Sequence, residues 1–404
     1  MATHPEVPGV LANPGASSVQ YRRSRRSELA IWWREIDRVG LILALFLMAL
    51  GAAAVAAASP SSARRLSTGS VQLDDLHFFM LHLRWLALGL AAMIAASMLS
   101  KDMARRAAIL FAGAMLVALM LVPAIGTEVN GARRWINLGM TFQPSSFLQT
   151  GYPVLLAWIL SWGIRDHKLP VVAISAALMA LVCGLLMLQP DFGSAVLFGG
   201  VWFALVLMWG LSVKRIVLSG VAGVTALVAA YAFYDNARSR IDTFLSGGTP
   251  FDHVDLADKT LQAGGWSGTG FWLGTRKLAL PEAHTDYIFS VIGEEFGLVT
   301  CAVVILLYLA VVARVLLRLV EEEDLFTVLA GTGLAVQFGG QAFINILVNL
   351  QLFPSKGMTL PLISYGGSST VAMCASIGLL LAITRRNPFI KRESFPLPGM
   401  GDMR

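Results

Sequence analysis

Charge is scarce in this chain: Asp, Glu, Lys and Arg make up 14% of its 404 residues, about half the share usual in a soluble domain. Cysteine is scarce too. Cys183, Cys301 and Cys374 all lie inside apolar runs without paired or metal-ligand spacing, so they read as small core hydrophobes and imply neither a disulfide nor a zinc site. There is no Walker sequence, and the glycine-rich stretch Gly264-Gly265-Trp266-Ser267-Gly268-Thr269-Gly270 lacks the Lys-Ser/Thr and the strand context of a nucleotide-binding loop, which argues against an ATP-driven pump. The Arg-rich start invites a twin-arginine or signal-peptide reading, against which stands its length. The polar leader is nearly forty residues long and the apolar run after it is a full span, so residues 1–38 are expected to form a disordered, basic cytoplasmic tail that touches anionic headgroups. The net charge of +6 then reflects topology and lipid contact, with no nucleic acid as partner.

What the chain has in abundance is long apolar runs: 56% of residues are hydrophobic and the mean hydropathy is +0.67. A hydrocarbon core of about 30 Å needs about 20 apolar residues per helix. Runs of that kind occur at about 39–58, 79–99, 107–125, 147–163, 169–188, 193–212, 215–234, 286–317, 325–350 and 366–384. The fold class is therefore all-α, a polytopic membrane protein with about ten transmembrane helices. Residues 39–388 are its transmembrane domain, 235–285 a long extracytoplasmic loop between helices seven and eight, and 389–404 a second cytoplasmic tail. Lys and Arg are retained on cytoplasmic loops. The groups Arg22, Arg23, Arg25, Arg26, Arg34 and Arg38, then Lys101, Arg105 and Arg106, then Arg385, Arg386, Lys391 and Arg392 place both termini inside.

In this topology the remaining polar features fall on the outer side, in four loops. They are Asn130-Gly131-Ala132-Arg133-Arg134-Trp135-Ile136-Asn137 with Phe142-Gln143-Pro144-Ser145; Gln189-Pro190-Asp191; 235–285; and Pro354-Ser355-Lys356 through Ser369. Four loops on one face suggest one composite site. Arg133, Arg134, Arg276, Lys277 and Lys356 supply positive charge suited to phosphate oxygens, and Gly366-Gly367-Ser368-Ser369 opens a helix whose amides favour an anion. Trp135 and Tyr365 could lie against sugar faces, and Asn130, Gln143, Thr285 and Ser364 could bond hydroxyls. Each has a plainer alternative, because interfacial Trp and Tyr are commonplace and glycine pairs serve close helix packing.

The stretch Leu280-Pro281-Glu282-Ala283-His284-Thr285-Asp286-Tyr287 sets a carboxylate where the long loop re-enters a hydrophobic span. Ionisable groups at such boundaries usually serve function. A half-buried carboxylate has its charged form disfavoured, which suits a general base working near neutral pH; a plain N-cap for the eighth helix suits Asp286 equally well. His284 could orient it, accept the proton itself or be structural. Two turns on, Glu294 and Glu295 are expected to form a structural ion pair with a buried donor such as Arg84. Asp191 is expected to pair with Arg133, Arg134 or Lys356, or to help hold a divalent cation. Gln337, Gln341, Asn345 and Asn349 recur every four residues and predict a stripe of interhelical hydrogen bonds.

The blocks NGARRWINLG, QPDFGS, RSRIDTF, AGGWSGTG, LPEAHTDYIFSVIGEEFG and FPSKGMTLPLISYGGSS resemble, in order and at the expected intervals, the SEDS family of shape, elongation, division and sporulation proteins, over about 39–388. KGMTLPLISYGGSS is more similar to the division branch than to the elongation branch. The resemblance implies a ten-helix peptidoglycan glycosyltransferase that polymerises lipid II on the outer face of the bacterial inner membrane at the division septum and releases undecaprenyl diphosphate. It implies a class B penicillin-binding protein as partner, alongside other divisome membrane proteins and membrane lipids. By the same likeness Asp286 matches the Asp of the family's HTD motif and would deprotonate a sugar 4-hydroxyl. Cationic loops would stabilise the departing diphosphate; no organic cofactor is implied, and there is room for magnesium or manganese.

Two departures stand out. The family reads QPSE-F-x-K where this chain has Ser146 and Gln149, so both charges of a one-turn pair are lost together. Phe271-Trp272-Leu273 puts bulky residues where the family prefers small and polar ones. A lipid II transporter, in which Asp286 and the intramembrane glutamates would change partners between states, and a non-catalytic division scaffold stay open as alternatives.

Overall fold

The computed structural model describes residues 25–68, 71–129, 132–137, 139, 141–166, 168–210, 212–246, 252–354 and 357–386. Two units divide the chain. Residues 1–36 and 386–404 make up the first, whose described part is helix α1 (Arg25–Glu35), with the Glu35 carbonyl accepting from the Arg386 amide. Most of the two tails expected from sequence lies outside the described residues. Residues 37–385 form the second unit.

Hydrocarbon offers no partner for backbone amides, so spans fold as helices that satisfy themselves. The second unit opens with α2 (Arg38–Leu66), α3 (His77–Ser97), α4 (Lys101–Ile125), α5 (Pro144–Arg165), α6 (Val171–Leu188), α7 (Phe192–Trp209) and α8 (Val213–Phe233). Two short helices follow in the long loop, α9 (Asp235–Leu245) and α10 (His253–Ala263), then α11 (Ile288–Leu319), α12 (Leu325–Asn349) and α13 (Ser368–Ile383). Ten of these coincide with the ten expected spans. Eight are long and apolar enough to cross a membrane; α13 is apolar with 16 residues, and α12 has the length but carries the Gln/Asn stripe.

Helix α5 sits at the centre. It packs against α4, α7, α12 and α13, and Leu148, Tyr152, Leu156 and Leu160, one turn apart, are fully buried. The Tyr152 ring meets Phe198 of α7 edge-on at 4.8 Å. Helix α8 is the opposite case: none of its residues is buried in the protein.

Outside the spans the all-α expectation is modified by a small antiparallel sheet, β1 (Thr127–Val129), β2 (Ala132–Asn137) and β3 (Thr141–Phe142), in the order β1-β2-β3. Thr127 pairs with Trp135 and Ile136 with Phe142. Water competes for amides there, and the alternation Trp135, Ile136, Asn137 suits a ribbon with one buried face. The single span expected at 286–317 is two helices joined at Gly297, whose φ of 83° and ψ of 169° break α11. A Cβ at this glycine would lie 2.3 Å from the Trp266 carbonyl oxygen, so no other residue fits the close approach.

Candidate functional site

Asp286 lies half-buried in the turn that leads into α11. The helix is capped by the next residue, Tyr287, which makes no side-chain capping bond. What holds Asp286 is its own carbonyl, which accepts from Asn345 Nδ2 at 2.8 Å and from Asn349 Nδ2 at 3.1 Å. Asn345 also donates to the Met358 carbonyl at 2.6 Å, Gln341 to the Thr359 carbonyl at 2.9 Å, and Asn349 Oδ1 accepts from the Ser290 hydroxyl at 2.8 Å. From Gln341 to Asn349 the α12 stripe thus joins α12 to α11 and to the loops, fastening the turn before α11 to the segment before α13, whereas the buried Gln337 side chain makes no hydrogen bond among the described residues. Buried amides of this kind are costly to leave unpaired, so the stripe fixes where Asp286 stands.

The segment 357–367 closes over the same turn. Ser364 donates to the Thr285 carbonyl at 2.6 Å and accepts from the Leu360 amide at 2.8 Å, and the Tyr365 amide donates to the His284 carbonyl at 3.0 Å. Gly357 lies beside the carboxylate: a Cβ there would stand 3.1 Å from Asp286 Oδ2. The Thr285 hydroxyl donates to Glu282 Oε2 at 2.8 Å. His284 is buried between aromatic rings, with centroids 4.3 Å from Phe78 and 5.4 Å from Tyr365. Burial pushes its pKa down to about 4, against a smaller opposing pull from Glu282, which fits a neutral packing and positioning residue. Burial raises the Tyr365 phenol, against a hydrogen bond with Trp85; the ring belongs to this aromatic cluster of α3 and the loops. Ser368 is half-buried at the opening of α13, behind the N-cap Gly367.

A cationic group lies within electrostatic reach of Tyr287, the residue after Asp286. Arg134, on β2, donates through Nε to the Gln189 carbonyl at 2.9 Å and also to the Pro190 carbonyl. Asp191 caps α7 by accepting from the Ser194 amide at 3.2 Å. Arg240 of α9 is within electrostatic reach of Arg134, Asp191, Tyr234 and Tyr287, and its pKa is lowered by burial and by Arg134. Tyr287 in turn feels both Asp286 and Arg240, and burial, followed by Asp286, raises its phenol. Two guanidinium groups and one buried carboxylate are therefore linked through the Tyr287 phenol to the half-buried Asp286. Such an arrangement can take a proton at one point and hold an anion at the next. Arg240 lies in the block RSRIDTF and is not among the candidates read from sequence; it stands two residues before Asp242, off the face of the Arg238–Asp242 pair, and that was the available signal.

Other predicted residues are placed elsewhere. Arg133 pairs on the surface with Glu128 at 3.3 Å, Trp135 is half-buried in β2, and the Arg276 side chain is exposed. Lys277 is buried, with its ammonium on Glu295 and, at 2.8 Å, on the Ala57 carbonyl. Arg84 is exposed on α3. Glu294 accepts instead from the amides of Arg276 and Lys277 at 2.6 and 2.9 Å, and Glu295 from those of Trp272 and Gly274. The two glutamates latch the loop 268–278 to α11. Ser146 and Gln149 are buried one turn apart at the start of α5, Ser146 donating to Gln143 Oε1 at 3.1 Å. Asn130 and Lys356 lie outside the described residues. Among the described residues no three His, Cys, Asp or Glu side chains converge as a metal site.

The sequence is 37% identical over 371 residues to a probable peptidoglycan glycosyltransferase FtsW of Caulobacter vibrioides, covering 91% of this chain and 94% of that one. It is 37% identical over 290 residues to the protein of the same name in Methylococcus capsulatus, covering 68% and 72%. Among solved structures, a chain of a peptidoglycan synthase complex that coordinates polymerization and crosslinking superposes with a TM-score of 0.69 at 29% identity, covering 86% of this chain and 97% of that one. The rod shape determining protein RodA of Thermus thermophilus does so at 0.63 and 27%, covering 87% and 97%. The FtsW, RodA and SpoVE family, described as cell cycle protein, matches residues 38–388, and this multi-pass membrane protein belongs to that family.

Proposed function

We propose that this chain is a peptidoglycan glycosyltransferase that polymerises lipid II for septal wall synthesis, with Asp286 as its general base. The observation that carries this reading is the pinned carboxylate next to Tyr287, a residue within electrostatic reach of a cationic group. Asp286 is half-buried, its backbone is held by two asparagines of α12, and the neighbouring Tyr287 lies within electrostatic reach of Arg240, which in turn feels Arg134. In the reaction Asp286 takes the proton of the 4-hydroxyl of one lipid-linked disaccharide. That oxygen attacks the anomeric carbon of a second lipid-linked chain, and the bond to undecaprenyl diphosphate breaks. Arg134 and Arg240 stabilise the charge developing on the leaving diphosphate. A divalent magnesium or manganese ion would need diphosphate oxygens among its ligands, because the described residues alone do not make a cage.

The basic loops favour an outer-facing site, on the periplasmic side of the inner membrane, and the structural relative's complex, which coordinates polymerization with crosslinking, supports a crosslinking partner, the role a class B penicillin-binding protein would fill. The transporter alternative asks Glu294 and Glu295 to exchange partners between states; both carboxylates are bonded to the loop 268–278. The test is glycan synthesis from purified lipid II in nanodiscs, with and without such a partner, for the wild type and Asp286→Ala. Chains that form only when Asp286 is present support the assignment. Equal synthesis by the variant overturns the role of Asp286, and no synthesis by folded wild type under any partner or metal condition overturns the enzyme.

A further inference from the structure

The loop between α10 and α11 shows large apolar side chains outward: Trp266 is 77%, Leu273 69%, Trp272 51% and Phe271 46% exposed. Trp272 also holds a left-handed backbone, φ 66°, a conformation that is costly for a bulky residue. In a soluble protein such a patch marks a binding surface. Its position along the spans identifies the partner.

Helix α2 has 29 residues, about 43 Å at 1.5 Å per residue, whereas the hydrocarbon core is about 30 Å thick. Its apolar run ends at Ala58, after which the chain turns to Ser59-Pro60-Ser61-Ser62-Ala63-Arg64-Arg65. The Trp272 indole N–H donates to the Ala56 carbonyl at 3.0 Å, which sets this ring at the level where α2 leaves the hydrocarbon. On the other flank, the Trp266 carbonyl accepts from the Val299 amide of α11 at 3.3 Å. Val299 and Leu306 are exposed apolar residues on that span, so the patch continues the lipid-facing surface without a break. Exposed Arg65, which donates to the Ala279 carbonyl at 2.8 Å, and exposed Arg276 edge the loop, offering cations to lipid phosphates.

We propose that Trp266, Phe271, Trp272 and Leu273 form an interfacial anchor that inserts into the headgroup–acyl boundary of the leaflet on the side of Asp286. Indole rings prefer that depth, and arginines at its rim match the anionic phosphates of phospholipids. The loop is fastened by Glu294 and Glu295 to the helix that follows Asp286, so the anchor sets the height of that carboxylate over the bilayer. The proposal rests on the membrane architecture and holds whatever reaction Asp286 serves.

The test is a nitroxide at Leu273→Cys in phospholipid nanodiscs, read by power saturation against oxygen, which enters lipid, and against a water-soluble nickel chelate. Leu306→Cys is the lipid-facing control and Lys259→Cys on α10 the water-facing one; the unsubstituted chain, with its native cysteines, gives the labelling background. The expected result is the oxygen-dominated pattern of the Leu306 label, with the nickel response lost. A nickel response equal to that of the Lys259 label overturns the proposal. So does a label that is shielded from both reagents only when a class B penicillin-binding partner is added, since the surface then belongs to a protein. Trp272→Phe, which keeps the ring and removes the indole N–H, should shift Leu273 label depth while circular dichroism stays unchanged.

Discussion

Lys277 is where residue type and tertiary position assign different tasks. As a lysine in a polar loop it suits diphosphate; in the fold it is 3% exposed, with its ammonium between Glu295, itself 1% exposed, and the Ala57 carbonyl. Lys277→Met keeps most of the stem but leaves the Glu295 charge with only the amides of Trp272 and Gly274. Stranding one partner of a buried ion pair costs on the order of 3–5 kcal/mol, and the two remaining amides place this case near the lower end, about 3 kcal/mol. Glu295→Gln strands the ammonium by a similar amount. The double variant should lose less than the sum, with a coupling of up to about 3 kcal/mol. Unfolding in mixed micelles of increasing denaturing-detergent fraction gives the stabilities, and lipid II polymerisation is assayed well below the shifted transition. A Lys277→Met protein of unchanged stability that no longer polymerises lipid II would refute the structural assignment and return Lys277 to the substrate.

The remaining expectations concern the neighbourhood of Asp286. Asn345→Leu orphans the carbonyl of Met358, worth about 1–3 kcal/mol, and leaves that of Asp286 with Asn349 alone; kcat for polymerisation should fall while KM for lipid II stays near wild type, and the reverse split would argue against a positioning role. Ser146→Glu places an unpaired charge in a buried site and should cost on the order of 3 kcal/mol, restored when Gln149→Lys is added; equal melting temperatures for single and double variants would show that the two positions do not face each other. His284 is held near pKa 4 against an ordinary 6.5. Between those values the unfolded chain binds more protons than the folded one, so stability falls as pH drops from about 6.5 to about 4 and is fully present above. His284→Phe should remove this loss, which the shift puts at about 3 kcal/mol, and an unchanged acid profile would contradict it.

Much of the architecture follows from the sequence alone, because lipid leaves a spanning chain few options. Ten apolar runs became ten helices, and the amides at 337, 341, 345 and 349 fall on one buried face because a helix repeats every 3.6 residues. The Asp286 boundary was legible for the same reason: a carboxylate at the end of an apolar run is conspicuous. Lys277 and Arg276, by contrast, are adjacent basic residues that composition cannot distinguish, yet one is sealed against Glu295 and the other faces outward. Arg240 reads as one of many surface arginines until α9 carries it to Arg134, Asp191 and Tyr287. The sequence by itself determined the membrane class, the positions of the ten helices and the boundary carboxylate, since hydrophobic length and periodicity are local properties. Only the tertiary structure decided which cations reach Tyr287 beside Asp286, which glutamates fasten the loop and which rings of that loop are exposed, because the partner of a buried charge is set by long-range contacts that no spacing along the chain encodes.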